Sequence, residues 1–193
     1  MEILERAIIE KGKVLDGGIL KVGSFLNNRI DVKLISAIGK DIYEKFKDCG
    51  VTKILTVEAS GIAIAVIASQ FFNCDSVFAK KSRTANLDGE LFFAKCFSYT
   101  HKNENVLILP KEYIVKDDVV LIVDDFLAHG EAVNALTDIV KQSGAKLAGV
   151  AIAIEKGFQG GGDSLRKKGV NLYSLAVIDS MENGRVVFRK AEV

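Results

Sequence analysis

Proline is almost missing from this sequence: Pro110 is the only one in 193 residues. Tryptophan is absent, and histidine occurs twice, at His101 and His129. The three cysteines, Cys49, Cys74 and Cys96, are far apart and form no CxxC pair. That scarcity excludes a recognisable zinc site and a dense disulfide framework. The thiols are expected to be reduced and mostly buried. No sign of charge is in excess, since 26 Lys and Arg face 25 Asp and Glu for a net charge of +1. A chain so balanced has no general attraction to nucleic acid or to an anionic membrane. The longest apolar stretch, Ile62 to Ala68, is too short to span a bilayer. Met1 is followed by Glu2, Glu5 and Arg6 instead of a basic start and an apolar core, so no secretory signal is expected. These absences point to a cytoplasmic protein with no nucleic-acid and no membrane partner.

What is present is an ordinary globular composition, 49% hydrophobic and 26% charged. The length suits a single domain, residues 1–193, that buries roughly 70% of its unfolded surface without staples. Leu4, Ala7 and Ile8 share one face of a short helix ended by Gly12. Val14 to Asn28 reads as a hairpin or loop. Asp31 is placed to cap a helix running to Gly50, with Leu34, Ile35, Ile38, Ile42 and Phe46 at helical spacing. Strands are expected at Lys53–Val57, Ser76–Ala79, Leu91–Tyr99, Asn105–Leu109, Val119–Val123 and Leu147–Ile154, with Leu172–Ile178 as the last. Helices are expected at Gly61–Phe71, from Ala132 to Gly144, and at Asp163–Lys168. Lys80–Glu90, Phe126–Gly130 and the triplet Gly160–Gly162 read as loops, and Thr100–Glu104, with His101, as a turn. Alternating strands and helices define an α/β fold with a mostly parallel central sheet flanked by helices. Functional loops then belong at the carboxyl ends of the strands.

The segment Val119-Val120-Leu121-Ile122-Val123-Asp124-Asp125-Phe126-Leu127-Ala128-His129-Gly130-Glu131-Ala132 carries the chemistry. Two carboxylates follow a buried strand, and a helix starts just beyond them. Free N–H groups at a helix start bind phosphate. Adjacent carboxylates accept hydrogen bonds from vicinal hydroxyls or hold a hydrated divalent metal. A ribose 5-phosphate presents phosphate and vicinal hydroxyls together; an ordinary strand-to-helix turn with solvated acids is the plainer alternative.

This pattern resembles the 5-phosphoribosyl-1-pyrophosphate (PRPP) motif of the type I phosphoribosyltransferases. The resemblance implies that Asp124 and Asp125 hold the ribose hydroxyls and that Ala128, His129, Gly130, Glu131 and Ala132 hold the 5′-phosphate. It further implies Mg²⁺ bridging pyrophosphate and ribose, mainly through PRPP and water, and a homodimer. Where many members have Thr and Ser or Thr, this chain has His129 and Ala132, so backbone N–H groups, with His129, must do more. Ala128 stands where the hypoxanthine-guanine members carry an acid, so that acid's role does not transfer. A second segment, Lys53 to Val57 followed by Glu58-Ala59-Ser60-Gly61, resembles the pyrophosphate loop, which implies Ala59, Ser60 and Gly61 facing the leaving group. Lys81, in the run Lys80-Lys81-Ser82-Arg83, is implied to neutralise pyrophosphate, and the following loop to close over the site. Glu58 is the nearest acid for a general base.

The base-selecting residues follow from Ile154-Glu155-Lys156-Gly157-Phe158, where a lysine can donate to a purine carbonyl and Phe158 can stack on the ring. Lysine opposes adenine, whose exocyclic amine is itself a donor. The stretch Leu20 to Asp31 is similar to the small N-terminal hood of bacterial xanthine phosphoribosyltransferases, with residues up to about 30 forming it. On that resemblance Leu20, Asn27 and Lys156 contact xanthine, and the substrates are xanthine and PRPP. Asn27 suits the 2-oxo group, because a buried donor left unpaired costs ~1–3 kcal/mol. Two alternatives stay open: another purine base, or a non-catalytic PRPP-sensing regulator. The regulator is disfavoured because the segment before Asp31 holds no helix-turn-helix pattern.

Overall fold

Val119–Val123 is apolar on both faces because it lies inside a sheet covered on both sides. The computed structural model describes residues 1–81, 89–98, 103–182 and 184–190. The N-terminal elements are α1 (Glu2–Lys11), the hairpin β1 (Lys13–Leu15) and β2 (Ile19–Lys21), a single wide turn over Gly23–Asn27, and α2 (Val32–Phe46). Then come β3 (Lys53–Val57), α3 (Gly61–Phe72), β4 (Asp75–Ala79), the hairpin β5 (Leu91–Ser98) and β6 (Asn103–Pro110), and β7 (Val119–Leu127). The chain continues through α4 (Glu131–Ser143), β8 (Lys146–Lys156), α5 (Gly161–Lys167), β9 (Leu172–Glu182) and β10 (Arg185–Phe188). Six of these strands form one sheet in the order β10-β9-β8-β7-β3-β4, parallel except for β10.

Period-two alternation sorts the sheet's side chains into two cores. Leu121 and Val123 of β7 and Ala151 and Ala153 of β8 face α1, α2, α3 and the N-terminal hairpin. Val120, Ile122, Val150 and Ile152 face α4 and the β5–β6 hairpin. Asp31 caps α2 as expected, accepting from the Leu34 N–H at 3.2 Å. The β5–β6 hairpin stands outside the sheet and hooks onto it where Lys80 and Ile108 exchange backbone hydrogen bonds of 2.9 and 2.8 Å.

Four expectations need correction. Phe126 and Leu127 are not loop: β7 continues through them because Phe126 pairs with Ile154 and Leu127 with Glu155 on β8. Gly161 and Gly162 are not a flexible loop but the first residues of α5, and Gly160 alone takes the left-handed turn, φ 76°. The last buried strand does not stop at Ile178: β9 runs to Glu182, and a further, half-exposed strand, β10, pairs back on it. Val14–Asn28 is partly helical, with the wide turn following the hairpin. Ser82, Arg83 and the rest of the expected loop to Asp88 lie outside the described residues, as do His101 and most of its expected turn. No helix among the described residues is long and apolar enough to cross a membrane. The three cysteines are free and half-buried, and burial pushes the Cys74 and Cys96 thiols up, which keeps them unreactive.

Candidate active site

The carboxyl ends of β3 and β7 open into a cleft of about 240 Å³. Glu58, Ser60 and Lys81 line one side, Asp124 and Asp125 the floor, and Ala128 to Val133 the other side. Cys96, Asn105 and Leu107 of the β5–β6 hairpin close the remaining wall. No local pattern in the chain signals that this hairpin reaches the cleft.

Asp124 and Asp125 are both buried, at 5% and 8% exposure. The Asp125 N–H donates to Asp124 Oδ1 at 3.0 Å. Burial, then the neighbouring Asp125 carboxylate, pushes the Asp124 carboxyl well above the ordinary carboxylate range. Stability therefore falls as pH rises from the ordinary aspartate range through the raised folded value. The ligand-free Asp124→Asn variant is expected to be more stable than wild type at neutral pH. The gain should vanish below about pH 4, where the unfolded aspartate is also protonated. Urea midpoints across that range check this; a gain independent of pH would contradict it.

Gly61 explains why α3 starts where it does. A Cβ there would stand 2.2 Å from Thr56 Oγ1 and 2.7 Å from Asp124 Oδ1. Only glycine lets the Ala59–Gly61 turn approach the acid pair. Ser60 precedes the helix without a side-chain cap bond, and Ala59 is exposed. Glu58 Oε1 accepts from the Lys81 N–H at 2.7 Å, so this acid ties the two halves of the cleft wall together. Lys81 itself is exposed at the rim.

Beyond the acids, Gly130 takes a left-handed conformation, φ 93°, and its carbonyl accepts from Asn134 at 2.8 Å to start α4. The N–H groups of Glu131, Ala132 and Val133 then have no acceptor within the helix. They stand, with His129, at the wall facing the acid pair.

The N-terminal elements lean over the other side of the acids. Asn27 Nδ2 donates to Asp125 Oδ2 at 3.0 Å. Leu20 is mostly buried and shares a groove with Asn27. Lys156 Nζ donates to the Gly18 carbonyl at 2.9 Å and sits 5.6 Å from the Phe126 ring centroid. Burial holds its ammonium below the ordinary lysine range. The exposed Phe158 ring also meets the hairpin turn, since a Cβ on Gly18 would lie 3.5 Å from it. Sequence reasoning singled out Phe158 but missed Phe126, the ring closest to Lys156's charge. The strand alternation that turns Phe126 toward Lys156 shows only once β7 is known to extend past the acids.

A strand-end acid pair, a facing helix start and a glycine turn are together suited to hold a phosphorylated sugar. The family model for the phosphoribosyl transferase domain matches residues 21–171, and the chain belongs to this family. It is 50% identical over 188 residues to the Xanthine phosphoribosyltransferase of Ruminiclostridium cellulolyticum, covering 97% of this chain and 99% of that one. It is 45% identical over 192 residues to the Xanthine phosphoribosyltransferase of Listeria monocytogenes, covering 100% of both. In fold it is similar to adenine phosphoribosyltransferase from Giardia lamblia complexed with 9-deazaadenine. That similarity has a TM-score of 0.78 at 18% identity, over 92% of this chain and 98% of the other.

Proposed function

We propose that this chain is a single-domain xanthine phosphoribosyltransferase, converting xanthine and PRPP to xanthosine 5′-monophosphate and pyrophosphate in purine salvage. One observation carries the reading: Asn27 of the N-terminal segment hydrogen-bonds Asp125 at the floor of the cleft. A base held by Asn27 and Lys156 would thus lie next to a ribose held by Asp124 and Asp125. The names of relatives up to 50% identical over nearly the whole chain support xanthine as the base.

In the reaction a purine ring nitrogen bonds to ribose C1 as the C1–pyrophosphate bond breaks. The purine ring proton is lost to water, and pyrophosphate leaves with the bonding electron pair. Asp124 and Asp125 hold the vicinal hydroxyls and stabilise positive charge developing at C1. The N–H groups of His129 to Ala132, with Ala128 leading into the loop, hold the 5′-phosphate. Ala59 to Gly61 and Lys81 receive the pyrophosphate. Leu20 packs against the base edge and Phe158 against the hairpin turn above it. Glu58 supports the Lys81 backbone, a structural use that competes with service as a general base.

Mg²⁺ suits this donor set. Among the described residues no group of three or more His, Cys, Asp or Glu is placed to hold a metal. Magnesium needs only one or two carboxylates beside phosphate oxygens and water, and Asp124 and Asp125 are the carboxylates at hand. When bound it would neutralise pyrophosphate charge.

The assay is pyrophosphate release with PRPP, Mg²⁺ and one base at a time. Xanthine is expected to outpace guanine, hypoxanthine and adenine by at least about tenfold in kcat/KM, the value of one buried hydrogen bond. Equal or faster release with another base would overturn the base assignment. PRPP binding without release would favour a regulator. The family resemblance also supports a cytoplasmic homodimer; a 21.0 kDa particle in sedimentation would exclude the dimer.

A further inference from the structure

Behind the phosphate side of the cleft lies an ion pair, a buried carboxylate held by a solvent-facing arginine, that the chemistry above does not use. Glu155, on β8 beside Lys156, is fully buried. Its carboxylate accepts from Arg166 Nη1 at 2.8 Å and Nη2 at 2.7 Å, and from the Ser174 hydroxyl at 2.5 Å. Arg166 belongs to α5, which opens with Gly161 and Gly162. A Cβ on Gly162 would fall 1.9 Å from Glu155 Oε1. A Cβ on Gly161 would fall 2.3 Å from the Ala128 carbonyl oxygen and 2.8 Å from the Gly130 nitrogen. The Gly161 N–H donates to that same Ala128 carbonyl at 3.1 Å. The start of α5 is therefore pressed between the Glu155 carboxylate and the Ala128–Gly130 backbone. A side chain at either glycine would hold the two apart.

We propose that the Glu155–Arg166 pair is a positioning device for the 5′-phosphate loop, setting α5 against Ala128–Gly130 so that the loop is aligned before PRPP arrives. The proposal rests on the assignment of residues 128–132 as the 5′-phosphate site. A bidentate guanidinium–carboxylate pair fixes orientation as well as distance, which lysine cannot do. Preorganised N–H groups bind phosphate well only while their geometry holds, and a shift of about 1 Å can cost ~100-fold. Glu155 and Arg166 are positioning residues and touch neither substrate.

Arg166→Lys keeps the charge and loses the fork. It is expected to raise the PRPP KM about tenfold while the xanthine KM moves less than about twofold. Gly161→Ala presses on the loop directly and should raise the PRPP KM similarly. Combining the two should give less than the product of the single effects, because both act through one contact. Glu155→Gln supplies the same readout if Arg166→Lys does not fold. Calorimetric titration of wild type with PRPP separates the two levels. No binding by wild type would overturn the phosphate-site assignment and the proposal with it. Wild-type binding combined with variants that lower only the Tm, or that raise both KM values equally, would overturn the positioning role alone.

Discussion

Replacing Asp124 and Asp125 together by Asn is expected to cut pyrophosphate release by about 10³-fold or more, while the chain still folds. The two positions act at the point where the reaction builds charge, and removing one preorganised electrostatic contact typically costs ~10²–10³ in kcat. Asn is isosteric, so Gly61, whose missing Cβ leaves room beside Asp124 Oδ1, meets no new atom. The amide oxygens still accept from the Asp125-position N–H and from Asn27, which bond the carboxylates at 3.0 Å each. What disappears is negative charge and the capacity to accept hydrogen bonds at both oxygens. The ligand-free double variant should therefore be no less stable than wild type, because it no longer buries two adjacent acids. Steady-state kinetics with a calorimetric PRPP titration checks both halves. Near-normal turnover and PRPP affinity would remove the ribose assignment.

That these two acids lie in a cleft at all was legible from the sequence, and the reason is physical. Five consecutive apolar residues before them, Val119–Val123, have only one common explanation, a strand covered on both faces. Its carboxyl end must then carry whatever polar residues come next. Asp31 was legible as a cap because capping is decided within one helical turn. The legible features are thus those set by a residue's near neighbours in the chain. Those that were missed depend on residues far away. Phe126 and Leu127 extend β7 because β8 offers Ile154 and Glu155 to pair with, and no local pattern announces that. The glycine triplet reads as slack chain from composition, yet Gly161 and Gly162 are among the most tightly packed glycines, against Ala128 and Glu155. The short β10 exists because β9 presents an edge to pair with. Asn27 and Asp125 are 98 positions apart, and only the fold shows that the N-terminal segment reaches the acids.

Lys156→Ala is expected to lower kcat/KM for xanthine by about 10²-fold while the PRPP KM changes less than about threefold. Hydrogen bonds to a charged group contribute ~1.5–3 kcal/mol, and each 1.4 kcal/mol is tenfold. In the ligand-free chain the ammonium has a backbone carbonyl, that of Gly18, as its hydrogen-bond partner. Burial already disfavours its charge. A half-desolvated cation so placed gains more from an electron-rich partner than a solvated lysine does. Xanthine offers a carbonyl oxygen there, and its two carbonyls make its ring N–H groups acidic, so its anion gains further. Adenine offers an amine, which the ammonium repels. The variant also frees the Gly17–Gly18 turn of the hairpin, and that second effect must be told apart from the first. Lys156→Gln does so, because its amide can still donate to Gly18. If Lys156 acts on the base, Gln should recover little of the xanthine activity, since the charge is gone. If Lys156 serves only to hold the hairpin, Gln should restore most of it. Loss of the hairpin alone would also weaken use of every base alike, whereas loss of the charge should narrow the gap between xanthine and adenine. A base panel on both variants therefore separates recognition from support: a xanthine-specific loss that Gln does not rescue is the signature of a base-selecting lysine.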